Sequence, residues 1–470
     1  MDRPRVSTGA TIDGFQIGRR IHHGSMADIW EASRADIGFP ALMKVPMLAE
    51  GEDPAAIVGF EMEQMILPRL SGPHVPRFFA AGDFSVQPYI VMERIPGPSL
   101  LHHLEALPLP IAEVAAIGAR VAAALEDLHR QHLVHLDVKP SNLMTRQSGE
   151  AVLIDFGLSH HRQLPDLMSE DFRLPYGTAP YMAPEQILGH RGDLRSDLFA
   201  LGVLLYFFTT GVRPFGDPQR LSGLKRRLWR DPVPPRKLRA DCPPWLQEII
   251  LHCLEVNPAW RYPSASQLAF ELQNSDQVNL TVRSERLHRD RFTAVLRRRF
   301  SEETTREVQR EASAIEGPDA PILAVAIDLT ETAGPLAEAL RITVSHILAT
   351  LPAARVACLN VLPRLISIDT TLDGEGRNKY LQRLVELRSW AEPLKLTEGR
   401  VTCHVLEAAQ PAAAILDYVR TNHVDHVVMG ARANTARRAL LGSVSGEVAS
   451  NAPCTVTVVR PRREASSHLA

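Results

Sequence analysis

Apolar and polar positions follow three regimes along this chain. Over residues 11–95, short apolar runs alternate with turns: FQIGRRI at 15–21, ADIWEA at 27–32, ALMKV at 41–45 and PYIVMERI at 88–95. That pattern predicts a mostly antiparallel strand region with one helix near 55–70. Residues 110–275 read as helix-rich. IAEVAAIGARVAAALEDLHRQH, 111–132, has strong helical periodicity, and LFALGVLLYFF, 198–208, is apolar all round. The latter is too short to cross a bilayer, so it predicts a buried helix.

From residue 320 strands and helices alternate. Strand-like runs (PILAVAID, RVACLNVL, RVTCHVLE, VDHVVMGA, CTVTVVR) are separated by helix-like ones (PLAEALRITVSHILATL, YLQRLVELRSWAEPL, PAAAILDYVRTNH, SVSGEVASNA). This predicts a parallel, doubly wound sheet. No fixed-period repeat is visible. The expected organisation is therefore one domain over 12–275, a charged, Arg-rich linker over 276–318 and a second domain over 319–462. Residues 281–300 of the linker hold seven arginines against two acids. Their plain reading is a solvated linker helix; a basic docking surface for a partner or a phosphorylated site is the sharper one.

Composition changes this picture little. The 470 residues carry a net charge of −2 and are 45% hydrophobic and 23% charged, as in a chain that buries real cores. That balance points away from nucleic acid as a partner. Five dispersed cysteines, with no CxxC pair, predict reduced thiols in a cytoplasmic protein rather than a disulfide framework. MDRPRVSTGATIDGFQIG has no apolar signal core, so no membrane association is expected.

The chemistry concentrates in HLDVKPSN, residues 135–142. An acid (Asp137), a cation (Lys139) and an amide (Asn142) within six residues suit transfer of a highly charged group. The acid can take a proton from an attacking hydroxyl and the cation can neutralise phosphate oxygens. The amide, with a second acid, can hold Mg²⁺. That second acid is Asp155 in VLIDFGLS. Upstream, Lys44 lies on a predicted strand and Glu63 on the following helix.

In order, HLDVKPSN, DFG and YMAPE, with Asp197 in RSDLF and Arg261 in NPAWRYPSA, resemble the eukaryotic-type protein kinases, in their bacterial serine/threonine branch. The resemblance covers about residues 12–275 and implies a two-lobed α+β fold, ATP and Mg²⁺ as cofactors, and Ser/Thr residues of proteins as acceptors. It further implies that Lys44 grips nucleotide phosphates, held by Glu63, that Asp137 is the catalytic base and that Lys139 clamps the transferred phosphoryl. Asn142 and Asp155 become the Mg²⁺ ligands. Gly24, Ile29 and Leu42 enclose the nucleotide, and Met92 to Ile95, including Glu93, form the hinge beside adenine. Thr178 resembles the threonine that helps select Ser/Thr acceptors. Glu185 and Arg261 become a buried structural ion pair, and His135 a packed structural histidine.

Three departures from the family pattern stand out. The phosphate loop IHHGSMADIWEA keeps Gly24 but has His22 and Ala27 where glycines are usual. Leu42 replaces a small residue over the adenine. Leu136 stands where an arginine normally receives an activation-loop phosphate. Before Thr178, the only hydroxyls of LSHHRQLPDLMSEDFRLPYGT are Ser159, Ser169 and Tyr176, so phosphate-driven ordering of this loop is not expected to be the main switch. Arg162 and Arg173 are the alternative phosphate receivers.

ILAVAIDLT, HVVMGARANTARRALLGSVSGEV and APCTVTVVR resemble the universal stress protein family over about 140 residues. A possible second nucleotide site follows from that resemblance at Asp328, Gly430, Gly442 and Ser443. The loop is one residue short of the ATP-binding pattern and has Ala433 in the second glycine slot; Arg432, Arg437 and Arg438 are further candidates for phosphate. The β-branched, nearly uncharged CTVTVVR also predicts an exposed edge and a homodimer through this domain. Two functions remain open: a serine/threonine protein kinase with a stress-sensing domain, and a pseudokinase scaffold that acts by docking.

Overall fold

The computed structural model describes residues 6–24, 26–47, 54–172, 175–288, 292–300, 320–329, 334–363, 378–397, 399–431 and 442–460. The chain forms two compact units, one mainly within residues 1–317 and the other mainly within 318–470.

The first unit opens with six antiparallel strands: β1 (Thr11–Ile12), β2 (Phe15–His23), β3 (Ala27–Ser33), β4 (Ala41–Pro46), β5 (Phe78–Gly82) and β6 (Tyr89–Glu93), in the order β1-β2-β3-β4-β6-β5. Strand alternation decides what each face does. Met43 and Val45 of β4 join Phe15, Trp30 and Val91 in the core, while Leu42 and Lys44 point the other way. Ile29 lies directly opposite Lys44, and Glu31 opposite Leu42. Ile29, Leu42 and Lys44 therefore share the face turned from that core. The expected helix is Pro54–Ile66.

The helical part rests on Ile111–Arg130, whose buried Val114, Ile117, Val121, Leu125 and Leu128 recur at three- and four-residue steps. It packs on Arg195–Thr210, which is buried almost all round, as its composition predicted. A Cβ on Gly202 of that helix would meet Cys253 Cβ at 2.5 Å, so the missing side chain lets Pro244–Cys253 pack close. β7 (Leu133–Val134), β8 (Leu143–Thr145), β9 (Ala151–Leu153) and β10 (His160–His161) form two small hairpin-like ladders around the polar loop between β7 and β8.

The linker expected from 276 onward does not leave this unit at once. Buried Gln247 donates its amide to the carbonyls of Arg283, Ser284 and Arg286 at 2.8, 3.1 and 2.9 Å. Glu248, 2% exposed, accepts from the backbone of Thr281 and Ser284 and from the Arg283 guanidinium. Arg286 and Arg298 both reach Asp231. The arginines of 283–298 that touch these acids thus serve docking within the unit, where the composition suggested a solvated helix.

The second unit is a five-stranded, all-parallel sheet of β11 (Ile322–Ala326), β12 (Arg355–Pro363), β13 (Val401–Ala408), β14 (His426–Gly430) and β15 (Thr455–Val459), ordered β13-β12-β11-β14-β15. Helices Pro335–Thr350, Lys379–Ala391, Pro411–Thr421 and Ser443–Asn451 connect them. Strand order reverses between β11 and β14, the position at which open α/β sheets leave a crevice. Among the described residues β15 is an edge strand, as its sequence predicted. Among the described residues no helix is long and apolar enough to cross a membrane.

Candidate functional site

The site forms where two unusual backbone positions converge. Leu136 and Asp155 both adopt left-handed φ, 62° and 68°, at a cost of about 1–3 kcal/mol each for residues that carry a Cβ. Asp197, fully buried at the start of its helix, holds the first of these. One carboxylate oxygen accepts from His135 N and the other from Leu136 N, both at 2.8 Å, and His129 Nε2 lies 2.9 Å from the first. The two adjacent amides clamp the turn that presents Asp137. His135 itself is buried, packed 5.4 Å from the Phe156 ring, so its structural reading stands.

Asp137 is 4% exposed and both of its oxygens are engaged. Oδ1 accepts from Thr178 N at 3.1 Å and from Thr178 Oγ1 at 2.7 Å. Oδ2 accepts from Asn142 Nδ2 at 2.9 Å and pairs with Lys139 Nζ at 2.6 Å. Lys139 Nζ also donates to Thr178 Oγ1 at 2.9 Å. Four residues separated by as many as 41 positions thus meet at one carboxylate.

Lys44 bridges two acids, donating to Glu63 Oε2 at 2.5 Å and to Asp155 Oδ1 at 2.8 Å. Burial alone would lower the lysine's pKa; the carboxylates of Asp155 and Glu63 outweigh it and raise it, so the ammonium stays charged. Lys44 in turn holds the Asp155 carboxyl below its ordinary range. Glu63, almost fully enclosed, is pushed up because burial exceeds the pull of Lys44. Asp155 remains 46% exposed with one oxygen on Lys44, and it shares the loop region with Asn142, whose backbone carbonyl accepts from Ile154 N. The exposed Asp155 carboxylate and the Asn142 amide oxygen, which accepts from Ser141 Oγ at 3.2 Å, are ligand types that suit a hard divalent cation.

The remaining predicted residues fall around this centre. Gly24 closes the β2–β3 turn, its N–H donating to Ala27 O, and a Cβ there would meet that oxygen at 3.1 Å. Ile29 and Leu42 lie on the Lys44 face of the sheet. Met92 and Ile95 are buried at the end of β6. Glu93 has a role that sequence did not suggest: its carboxylate is gripped by Arg146 at 2.5 and 2.9 Å, joining the hinge to the loop after β8. Glu185 and Arg261 form the expected buried pair, bidentate at 2.7 and 2.8 Å with neither side chain exposed.

The loop 158–178 corrects one expectation. Ser159 is wholly buried and donates to His135 O at 3.1 Å, so it is structural rather than an accessible hydroxyl; Ser169 is exposed. A basic partner of this loop, not singled out from the sequence, is Arg191. Its Nε donates to Asp166 at 2.7 Å and its Nη2 to Leu158 O at 2.9 Å. Asp166 caps the short helix Leu167–Asp171, lies 3.2 Å from His160 Nδ1, and is held far below the usual carboxylate range because Arg191 and His160 outweigh the opposing effect of burial. Arg173 lies outside the described residues.

Behind the Lys44–Glu63 pair, Gly59 of the helix rests directly on Gly157 of the DFG turn. A Cβ on Gly157 would lie 2.9 Å from Gly59 O, and one on Gly59 would lie 3.2 Å from Gly157 O. No pattern within either segment signals this contact.

In the second unit, Asp328 follows β11 by two residues, Gly430 ends β14, Gly442 is the N-cap of Ser443–Asn451, and Ser443 is its first residue. β11 and β14 are neighbours, so Asp328 and Gly430 sit at the same end of the sheet. Gly430 also has a packing reason: a Cβ would meet Leu336 at 2.7 Å. Ala433, Arg432, Arg437 and Arg438 lie outside the described residues.

A positioned acid, a lysine bridging two carboxylates and an amide-bearing loop thus meet at one site in the first unit. The chain belongs to the protein kinase domain family, which matches residues 15–271, more than half of its length. The universal stress protein family matches residues 321–460, so a kinase domain is followed by a domain of that second family. A probable serine/threonine-protein kinase of Clostridium perfringens is 31% identical over 242 residues, covering 50% of this chain and 35% of that protein. PknB of Mycolicibacterium smegmatis is 30% identical (55% of this chain, 42% of that protein) and PknA of Mycobacterium tuberculosis 32% (57% and 62%). The chain spans less than half the length of the first of these relatives. The kinase domain of Mycobacterium tuberculosis PknI aligns at a TM-score of 0.45 and 25% identity, covering 57% of this chain and 98% of that one.

Proposed function

We propose that this chain is an ATP-dependent protein kinase that phosphorylates serine or threonine in other proteins, with its second domain sensing stress or regulating the first. The observation that carries this reading is the complete set of contacts joining Lys44 to Glu63 and Asp155, and Asp137 to Lys139, Asn142 and Thr178. Reduced, dispersed cysteines support a cytoplasmic location.

In this reading ATP supplies the transferable phosphoryl group and Mg²⁺ neutralises its charge. Lys44 binds phosphate oxygens, and Glu63 keeps its ammonium aimed. Asn142 and Asp155 would hold the metal. Asp137 orients the acceptor hydroxyl and takes its proton, and Lys139 offsets charge building on the transferred group. Thr178 fixes the carboxylate that does this and borders the acceptor. Gly24, Ile29, Leu42 and the hinge Glu93–Ile95 enclose the nucleotide. Asp328, Gly430, Gly442 and Ser443 make up a second, weaker nucleotide site in the C-terminal domain.

A pseudokinase scaffold is the second reading. It is favoured by Ala27 and His22 in the phosphate loop, where amides approach phosphates less easily than at glycine, and by the bulk of Leu42. Incubation with Mg²⁺, γ-labelled ATP and a generic acceptor protein separates the two. Asp137→Asn is expected to lose about 10²–10⁴-fold in rate, and Asp155→Asn its metal-dependent turnover. An Asp155→Asn protein as fast as the parent sinks the kinase reading.

A further inference from the structure

One surface beside the site is not used by the chemistry above. The segment Arg220–Arg230, RLSGLKRRLWR, carries five cations and no acid. It folds as a short helix, Leu221–Leu224, continued by a 3₁₀ turn, Lys225–Leu228. Arg220, Lys225, Arg226 and Arg230 are exposed, and among the described residues no carboxylate pairs with them. The acids flanking the segment are already occupied. Asp217 pairs with Arg213 at 3.2 Å, and Asp231 with Arg286 and Arg298 at 2.8 and 2.9 Å. Four positive charges are therefore left without local compensation, although the chain as a whole is slightly acidic.

The fifth cation shows what the segment is attached to. Arg227 is 1% exposed and meets no carboxylate. Its guanidinium lies 5.1 Å from the Phe215 ring and donates to backbone carbonyls: Ala179 O at 2.8 Å, Met182 O, and Pro180 O at 3.5 Å. Burial lowers its pKa to about 10, so it remains charged near neutrality. Those carbonyls belong to the four residues that follow Thr178, the residue bonded to Asp137. A buried arginine is costly unless its fork is satisfied; Arg227 bonds carbonyls through both terminal nitrogens, while its Nε has no hydrogen-bond partner among the described residues. Here it fastens the basic segment to the stretch of backbone that borders the acceptor position.

We propose that Arg220, Lys225, Arg226 and Arg230 form a docking surface for an acidic stretch of the protein substrate. The proposal rests on the kinase reading for what the docked chain is, but not for whether it docks. Its place argues for a protein substrate over nucleic acid or an anionic membrane. The charges lie along one short segment, from Arg220 to Arg230, rather than a long face, and Arg227 ties that segment to the acceptor-binding backbone. An acidic flank held there places a nearby serine at high effective concentration over Asp137. Because the cations are exposed, the attraction is screened by salt.

The test uses the full chain and two fluorescent serine peptides, one flanked by glutamates and one by lysines. Binding is read by anisotropy and turnover by phosphate transfer. The parent is expected to bind the acidic peptide at least tenfold tighter at 50 mM than at 500 mM KCl, and tighter than the basic one. Arg220→Glu/Lys225→Glu/Arg226→Glu is expected to lose tenfold or more in binding. It should raise KM for the acidic peptide by a similar factor while leaving kcat and the KM for ATP within about twofold. The triple glutamine variant should fall between. Equal binding of both peptides by the parent, unchanged binding in the charge-reversed variant, or binding of single-stranded DNA or anionic vesicles without binding of the acidic peptide would each overturn the proposal. If the acidic peptide binds and is released by charge reversal but is never phosphorylated, docking stands and the kinase reading falls.

Discussion

His161 is buried at 4% exposure in β10, and its Nδ1 accepts from Gln163 N at 3.2 Å. Burial first, and the charges of Arg69 and His132 after it, push its pKa down to about 4. In the unfolded chain it titrates at about 6.5. Below that value the unfolded state takes a proton that the folded state refuses. Stability is therefore fully present above about pH 6.5 and declines toward pH 4, at up to about 1.4 kcal/mol per pH unit, less whatever solvent reaches the ring. Thermal unfolding of the kinase unit should show a lower midpoint at pH 5 than at pH 7. His161→Gln keeps an acceptor for Gln163 without titrating and should narrow that difference. An unchanged difference would assign the pH dependence to other groups. At the same scale, the catalytic residues were legible because they sit in short linear motifs: Asp137, Lys139 and Asn142 fall within six positions. Arg146, Arg191 and Arg227 were not. Each meets its partner across 25 to 53 residues, and an arginine with a distant partner looks like any other arginine.

Two elements around the site are coupled by what they lack. Helix Pro54–Ile66 carries Glu63 toward Lys44, and one turn earlier Gly59 lies against Gly157 backbone to backbone. A side chain at 59 must displace either the helix or the DFG turn. Gly59→Val is expected to cost tenfold or more in phosphate transfer, with a larger rise in the KM for ATP than Gly59→Ala gives. Equal KM and kcat in both variants would show that the glycine contact does not position Glu63. The loop 158–178 carries its own anion, since Asp166 occupies Arg191. Ser169→Ala should therefore retain activity within about twofold, whereas Asp166→Asn should lose tenfold or more at unchanged ATP affinity. Equal activity in both would remove the ion pair from loop ordering. The elements themselves were readable from periodicity: the strands up to β6, the stripe of Ile111–Arg130 and the alternation after 320. The docking of residues 281–286 was not readable, because the partners, Gln247 and Glu248, are polar residues buried on another helix and leave no apolar stripe to read.

For the whole molecule, the sequence suggested a homodimer through the C-terminal domain, and β15 is an edge strand that has its neighbour, β14, on one side. Thr455 to Val459 carry no charge, so little guards that edge. Light scattering should give a dimer for the full chain at tens of micromolar and a monomer for a truncation ending near residue 300, after the docked residues. A full chain that runs as a monomer, or a truncation that dimerises as well, would locate the contact elsewhere. The order of that sheet sets what such a dimer is able to do. Two copies of one strand related by a two-fold axis can exchange hydrogen bonds only when antiparallel, because a two-fold along the strands would face N–H with N–H and C=O with C=O. The joined sheet would then run through both domains with its strand directions reversed at the seam. The two crevices above β11 and β14 would open toward opposite ends of the assembly, and the strands between them would be the continuous path by which one copy could register a ligand in the other.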